Sequence, residues 1–177
     1  MKKLLVVLVV LASSIVVGQD DIFEQIRIQD SIFETLPSPG NYADSLIIIE
    51  DFNNQAFQQA MLHYLNLERI RHGLDTVRLD EKLASDCVEI SVWMANRDKL
   101  EHCKDFINYG GGYEIIMDNV INTRCKLTYA KLAYNAIHAW YRSPPHKAIL
   151  HKPGITKIGV GQSRSKSRKN YTVLRAG

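Results

Sequence analysis

The sequence predicts an α+β fold in which amphipathic helices pack around a mostly antiparallel sheet. Two long segments repeat apolar residues at helical spacing, and a stretch after a triple glycine is rich in aromatic and β-branched residues. The last two extended segments are separated only by residues 163–170, which is too short for a crossover helix, so they must pair as a hairpin. The element order is therefore helix, helix, strand, helix, strand, strand.

The first two helices are predicted from apolar spacing and end signals. The first spans the region from Asp51 to His72, where Asp51 or Asn53 can cap the start and Gly73 suits the left-handed position after the end. The second follows the capping residue Asp80 and ends within residues 96–99. Their inward residues are Phe57, Met61, Tyr64, Leu65 and Leu67 in the first helix and Leu83, Cys87, Ile90 and Met94 in the second.

The second half of the chain alternates strand and helix signals. Residues 113–120 are predicted as a strand, and Thr128 caps a third helix that runs to Arg142, where Ser143-Pro144-Pro145 stops it. A short helical turn is expected at residues 148–150. Residues 156–162 and 171–175 are predicted as the two strands of the closing hairpin. The inward residues of the third helix are Leu132, Ile137 and Trp140.

The amino-terminal residues are expected to lie outside this domain. A short basic start and an apolar run from Leu4 to Val17 are typical of a secretory signal peptide covering residues 1–18. The alternative is an uncleaved anchor, but the run is shorter than the ~20 apolar residues of a spanning helix. Residues 19–50 are interpreted as a leader segment and residues 51–177 as the domain. The protein is expected to be secreted, to the periplasm or the exterior, without a transmembrane segment after cleavage, and monomeric.

Charge is divided unevenly along the chain. The formal net charge is +3, yet all 19 acidic residues lie between Asp20 and Asp118, and residues 126–177 contain eleven Lys and Arg and no acid. The two halves can attract each other in the fold, or the basic half can meet an anionic partner. Four cations are concentrated in the predicted hairpin loop at Arg164, Lys166, Arg168 and Lys169. This tract has no interleaved aromatic residues, so nucleic-acid binding is not expected.

Three cysteines, Cys87, Cys103 and Cys125, allow one disulfide and one free thiol in an oxidising compartment. Cys87 lies on the apolar face of the second helix and is expected to behave as a small buried hydrophobe. Cys103 with Cys125 is the favoured pair, although the other pairings stay open. A nucleophilic cysteine would need an activating base, which nothing in the local sequence marks.

An ordered set of short motifs resembles the CAP superfamily, which includes cysteine-rich secretory proteins, venom antigens, plant pathogenesis-related proteins and bacterial secreted relatives. The resemblance covers residues 51–177, and its Trp to Ser-Pro-x-His segment is similar to the bacterial branch. The motifs, in chain order, are Asn66, Arg69, Gly73-Leu74, Leu79 with Leu83, His102, Gly112-Tyr113-Glu114-Ile115, Trp140 through His146, and Ile158-Gly159-Val160-Gly161.

The resemblance implies a CAP-type α-β-α sandwich with a surface cleft in which histidines and acidic residues can hold a divalent metal such as zinc. By position, His102 and His146 correspond to the two cleft histidines and Glu114 to the family glutamate. Two imidazoles and a carboxylate are a suitable zinc set. Ser143 stands where animal members carry a second acidic residue, so the ligand set is smaller here. Asn66 and Arg69 are interpreted as structural residues.

Three functions are compatible with the sequence. The first is a secreted binding or interaction module whose cleft recognises an extracellular ligand or protein without turnover, with no catalytic residue assigned. The second is a metal-dependent hydrolase, for example a peptidase, that uses the same cleft. The third is an anion-binding surface protein whose residues 164–169 meet phosphate, lipopolysaccharide or acidic glycans by charge. The partner of the protein is expected to be an extracellular ligand or protein, with a lipid or an anionic envelope polymer as further candidates.

Overall fold

The computed structural model describes residues 46–47, 51–103, 112–121 and 127–177. The predicted signal peptide and nearly all of the leader lie outside these residues, as does Cys125. In the part described, the elements are α1 (Asn54–Arg71), β1 (Arg78–Leu79), α2 (Glu81–Arg97), β2 (Tyr113–Asn119), α3 (Tyr129–Arg142), α4 (Pro144–Leu150), β3 (Lys157–Arg164) and β4 (Asn170–Ala176).

The strands form one sheet in the order β1-β3-β4-β2. The predicted hairpin is confirmed, since β3 and β4 pair antiparallel from Ile158↔Ala176 to Arg164↔Asn170. β2 pairs antiparallel with the other side of β4. β1, which was not predicted, pairs parallel with β3 through two residues, so the mostly antiparallel sheet is in detail a mixed one.

The sheet separates two apolar layers. Ile115, Val160 and Leu174 point to the side covered by α1 and α3, whereas Ile116, Tyr171 and Val173 pack with the buried residues of α2. Neighbouring residues of a strand point to opposite faces, which explains why adjacent positions of β2 and β4 belong to different layers. The α+β prediction and its α-β-α sandwich are thus confirmed.

Helix α2 lies directly on the backbone of β3. A Cβ added to Gly159 would stand 2.1 Å from the carbonyl carbon of Leu83, and one added to Gly161 would stand 2.3 Å from the backbone nitrogen of Val88. The thiol of Cys87 donates a hydrogen bond to the Gly159 carbonyl at 3.3 Å. Only glycine permits this contact, which aligns α2 with β3.

Side chains of α1 cover the edge of β3 that β1 is too short to pair. The Asn54 amide donates to the Gln162 carbonyl at 3.1 Å and accepts from the Gln162 backbone N–H at 2.9 Å. Gln58 donates to the Val160 carbonyl at 2.8 Å. These amides replace a neighbouring strand and satisfy backbone groups that an edge strand leaves open.

The two polar residues interpreted as structural do hold α1 to its surroundings. Asn66 exchanges two hydrogen bonds with the backbone of Val77, at 2.9 and 2.8 Å. Arg69 is 2% exposed, and its guanidinium donates to the carbonyls of Asp75 and Leu150, both at 2.7 Å. Desolvation lowers the pKa of Arg69, and backbone oxygens solvate its charge.

The helix ends differ slightly from the predicted ones. Asn53, rather than Asp51, caps α1, since its Oδ1 accepts from the Ala56 N–H at 3.0 Å. Ser143 ends α3 as expected, but the two prolines that stop it also begin α4, a longer helix than the turn predicted at residues 148–150. Proline fits the first turn of a helix because its missing N–H would have no partner there.

Asp98 joins the end of α2 to the β3–β4 hairpin. It takes the left-handed conformation after α2, with φ at 50°. Its Oδ1 accepts from the Ser167 hydroxyl at 2.7 Å and from the Tyr171 hydroxyl at 3.0 Å. Hydrogen bonds from Ser167 and Ser165, and from Tyr171, lower the pKa of the Asp98 carboxyl despite some desolvation, and the charge of Lys169 lowers it further.

We expect Gly161→Ala to destabilise the fold by about 1–3 kcal/mol, because the new methyl group forces α2 away from β3. Urea unfolding with circular dichroism measures the change. Ser85→Ala, on the exposed side of α2, is the matched control and should shift the unfolding free energy by less than ~0.5 kcal/mol. Equal stability of Gly161→Ala and the parent would contradict the close packing of α2 on β3.

The Asp98 contacts should make stability depend on pH. Because the pKa of Asp98 is lowered in the folded state, its contribution is fully present above the pKa of the unfolded chain, about 3.9. It is lost as the pH falls through the folded-state value. The parent should therefore unfold at higher urea than Asp98→Asn at pH 7, and the difference should shrink below pH 4. Ser167→Ala should give a smaller effect of the same sign, and a difference that stays constant down to pH 2.5 would contradict the assignment.

Candidate functional site

The structure brings two of the three predicted site residues into contact. His102 follows the end of α2, Glu114 is the second residue of β2, and the His102 Nδ1 lies 2.7 Å from the Glu114 Oε1. The His102 side chain is 55% exposed, whereas that of Glu114 is 10% exposed. A covered carboxylate thus holds one nitrogen of an exposed imidazole, and the other ring nitrogen is the one left to bind a ligand.

Glu114 is supported from below by a buried arginine that sequence reasoning missed. Arg175 stands opposite Glu114 in the β2–β4 register, and its Nε lies 3.9 Å from the Glu114 Oε2. On its other side the Arg175 guanidinium lies 3.6 Å from the Asp86 carboxylate of α2. The guanidinium therefore supplies positive charge to two carboxylates from two layers. The sequence offered one hint. Arg175 and Val173 are two residues apart in β4, so both face α2.

The third predicted residue, His146, is half-buried in α4. Burial lowers its pKa, and the charge of His102 lowers it further, so the two histidines lie within electrostatic range of each other. Both effects favour the neutral imidazole, which is the form that binds a metal. Ser143, at the junction of α3 and α4, contributes no carboxylate.

The three predicted residues do not form a closed ligand set. Within the described ranges, no group of three or more His, Cys, Asp or Glu side chains is arranged to hold a metal ion. What the structure provides is a His102–Glu114 pair with His146 nearby, and a Glu114 Oε2 that is buried without a hydrogen-bond partner. The arrangement can bind a ligand through exposed imidazole, with the carboxylate orienting one ring.

A second polar cluster, to which sequence reasoning assigned no role, joins α1, α3 and α4. The rings of His72 and His151 are 4.2 Å apart between centroids, and Tyr141 lies edge-on to His151 at 4.8 Å. The His138 Nε2 is 4.0 Å from the Glu68 carboxylate. Burial lowers the pKa values of His138 and His151 and thus favours their neutral forms. Glu68 and His72 are four residues apart and therefore lie on the same side of α1, which was a weak sign of this cluster in the sequence.

The two cysteines in the described residues are buried. Desolvation raises the pKa of the Cys87 thiol, which fits its predicted role as a small hydrophobe and argues against a nucleophile. Cys103 packs between α2 and the sheet and is a free thiol. The predicted Cys103–Cys125 disulfide is not confirmed. Cys125 itself lies outside the described residues.

No helix among the described residues has the length and apolar character that crossing a membrane requires. The predicted signal peptide lies outside these residues.

The fold is similar to those of several solved structures. An outer surface protein from Borrelia burgdorferi matches with a TM-score of 0.58 at 15% identity, over 71% of this chain and 95% of its own. NaASP2, solved with Zn²⁺, matches with a TM-score of 0.54 at 15% identity, over 67% of this chain and 77% of its own. The CAP domain of enterococcal PrgA matches with a TM-score of 0.52 at 13% identity, over 91% of this chain and 79% of its own.

At such low identities these likenesses establish the fold alone. A sequence comparison with curated proteins found no match. The family model of the cysteine-rich secretory proteins, in contrast, matches residues 62–175, which contain His102, Glu114, His146 and nearly the whole sheet. The chain belongs to the CAP family, the cysteine-rich secretory protein family.

Proposed function

We propose that this protein is a secreted binding module of the CAP family whose cleft holds Zn²⁺ through His102 and His146 and uses the bound ion to recognise an extracellular ligand. The observation that supports the metal most directly is the 2.7 Å contact between His102 Nδ1 and Glu114 Oε1. Metal-binding histidines usually donate their second ring N–H to a carboxylate, which fixes the tautomer and the ring orientation. Glu114 is thus a positioning residue in this proposal.

The residues present fit zinc chemically. Two neutral imidazoles are suitable ligands, and the lowered pKa of His146 keeps one of them in its binding form near neutral pH. Ser143 supplies no carboxylate and Glu114 contacts His102, so two of the four positions of a tetrahedral zinc would stay available for water or for a donor atom of the ligand. A site of this kind favours a ligand that offers a carboxylate or carbonyl oxygen.

Binding without turnover is supported by what surrounds the histidines. Glu114 is engaged by His102, and the Arg175 guanidinium also faces it, so it is poorly placed to carry protons as a general base. The Cys87 thiol is buried, and desolvation raises its pKa, so it is not a ready nucleophile. Secretion is supported by the apolar run at residues 4–17. A function outside the cell is also consistent with the similar fold of the outer surface protein from Borrelia burgdorferi.

The decisive experiment measures zinc affinity of the secreted protein by calorimetry, with metal content by mass spectrometry. We expect about one zinc per chain, loss of binding in His102→Ala and His146→Ala, and a 10–100-fold weaker affinity in Glu114→Gln, which keeps the shape but removes the charge. His63→Ala, on α1, is the matched control for loss of a histidine outside the cleft and should bind zinc like the parent.

Two results would contradict this proposal in different ways. Absence of zinc binding in a parent protein that folds normally would remove the metal from the cleft. Zinc-dependent cleavage of a peptide library that disappears in His146→Ala would replace the binding module with the hydrolase.

A further inference from the structure

The hairpin end of the sheet, opposite the end that holds Glu114, carries a concentration of positive charge. Two neighbouring segments, the carboxyl end of α2 and the β3–β4 hairpin, contribute six cationic side chains. These six residues are called the basic end: Arg97, Lys99, Arg164, Lys166, Arg168 and Lys169. Lys166 and Arg168 at the hairpin tip are exposed.

The fold itself assembles the basic end. Because Gly159 contacts Leu83 and Gly161 contacts Cys87 and Val88, α2 runs in the same direction as β3. The Ser91 hydroxyl then reaches the Ser163 hydroxyl at 2.9 Å, and the turn after α2 arrives at the hairpin. There the Asp98 carboxylate accepts a hydrogen bond from the Ser167 hydroxyl at 2.7 Å. The hairpin tip is therefore held in place rather than attached only through its own strands.

The acidic residues near the basic end are largely engaged. Glu101 pairs with Lys99 and with Arg97, the latter at 2.9 Å, and Asp98 points to Ser167 and Tyr171. Among the described residues, Asp118, half-buried on β2, is a further carboxylate close to Tyr171. Lys166 and Arg168 have no acidic partner among the described residues. Their charges are thus available to an external anion.

Exposed apolar side chains accompany these cations. Leu100, just after α2, is 41% exposed. Val120, just after β2, is 55% exposed, and it lies beside the hairpin because its neighbour Asn119 pairs with Asn170. The Asn170 amide also donates to the Asn119 carbonyl at 3.2 Å. Val120 and the cations therefore share the hairpin end, and Leu100 follows two residues after Asp98, which contacts the hairpin.

We propose that the basic end docks on an anionic lipid bilayer, with Lys166 and Arg168 meeting the headgroups and Leu100 and Val120 entering the interface. Cations gain binding energy near an anionic leaflet, and apolar side chains gain more when they leave water at its surface. A soluble acidic polymer would attract the cations but leave the two aliphatic residues in water. The pairing of both residue types is what favours the bilayer.

Docking at the hairpin end leaves Glu114 at the far end of β2. Glu114 and Asn119 are five residues apart on β2, a separation of roughly 17 Å at the rise of an extended strand. His102 lies nearer to the docking surface than Glu114 does, since only Glu101 separates it from Leu100. Lipid docking and zinc binding nevertheless depend on different side chains, so they should be separable by mutation and one proposal can fail without the other.

Cosedimentation of the secreted protein with vesicles tests the proposal. We expect binding to phosphatidylcholine vesicles that contain about 30% phosphatidylglycerol, and weak binding to pure phosphatidylcholine. Each cation near an anionic bilayer strengthens binding roughly fivefold, so Lys166→Gln/Arg168→Gln should weaken it by roughly thirtyfold. The control double variant Arg78→Gln/Lys147→Gln removes two exposed cations outside the basic end and should bind within about twofold of the parent. His146→Ala should also bind like the parent.

A second comparison separates the bilayer from a soluble polymer. Leu100→Ser/Val120→Ser should weaken vesicle binding while leaving any retention on dextran sulfate unchanged. Equal losses in the Lys166/Arg168 and the Arg78/Lys147 variants would overturn the proposal, because net charge alone would then explain binding. If Leu100→Ser/Val120→Ser left vesicle binding unchanged, and the parent bound dextran sulfate more strongly than vesicles, the proposal would be overturned in favour of an acidic polymer.

Discussion

The contact between the backbones of α2 and β3 is the constraint on which the rest of the structure depends. Gly159 and Gly161 leave no room for any side chain between helix and strand, so the helix cannot slide or rotate without losing the fit. Once α2 is fixed along β3, Asp86 faces Arg175 and the turn at Asp98 faces the hairpin. One pair of glycines thus determines the surroundings of both ends of the sheet.

A chain of charged groups crosses from α2 to the surface at the cleft. Asp86, Arg175 and Glu114 alternate in sign, and His102 ends the series at the solvent. Buried ion pairs cost desolvation energy that their attraction only partly offsets. Such a series adds little to stability, but it fixes the position of a carboxylate that would otherwise turn to water. A precise orientation of the exposed imidazole is the physical consequence.

Sequence patterns predicted the fold well where burial follows a period. Phe57, Ile90 and Trp140 were placed inward by helical spacing, and each is buried. The two-residue strand β1 and the proline-initiated α4 were missed or shortened because segments this brief show no period. Arg175 was missed for another reason. Its position in an apolar strand makes sense only with Asp86 and Glu114, which are far from it in the chain.

The residues of the candidate site could be predicted from the sequence, but the contacts between them could not. His102, Glu114 and His146 are separated by twelve and thirty-two residues, so no local spacing could show which of them touch. The family motifs selected the three residues, and the structure adds that His102 and Glu114 are in contact. Glu114 binds a ring nitrogen of His102 and is therefore less suited to be a direct ligand than the two imidazoles. In the zinc site proposed above, two protein ligands would leave more of the metal open to a binding partner than three would, and they would orient a bound water less, which is why binding is proposed in preference to hydrolysis.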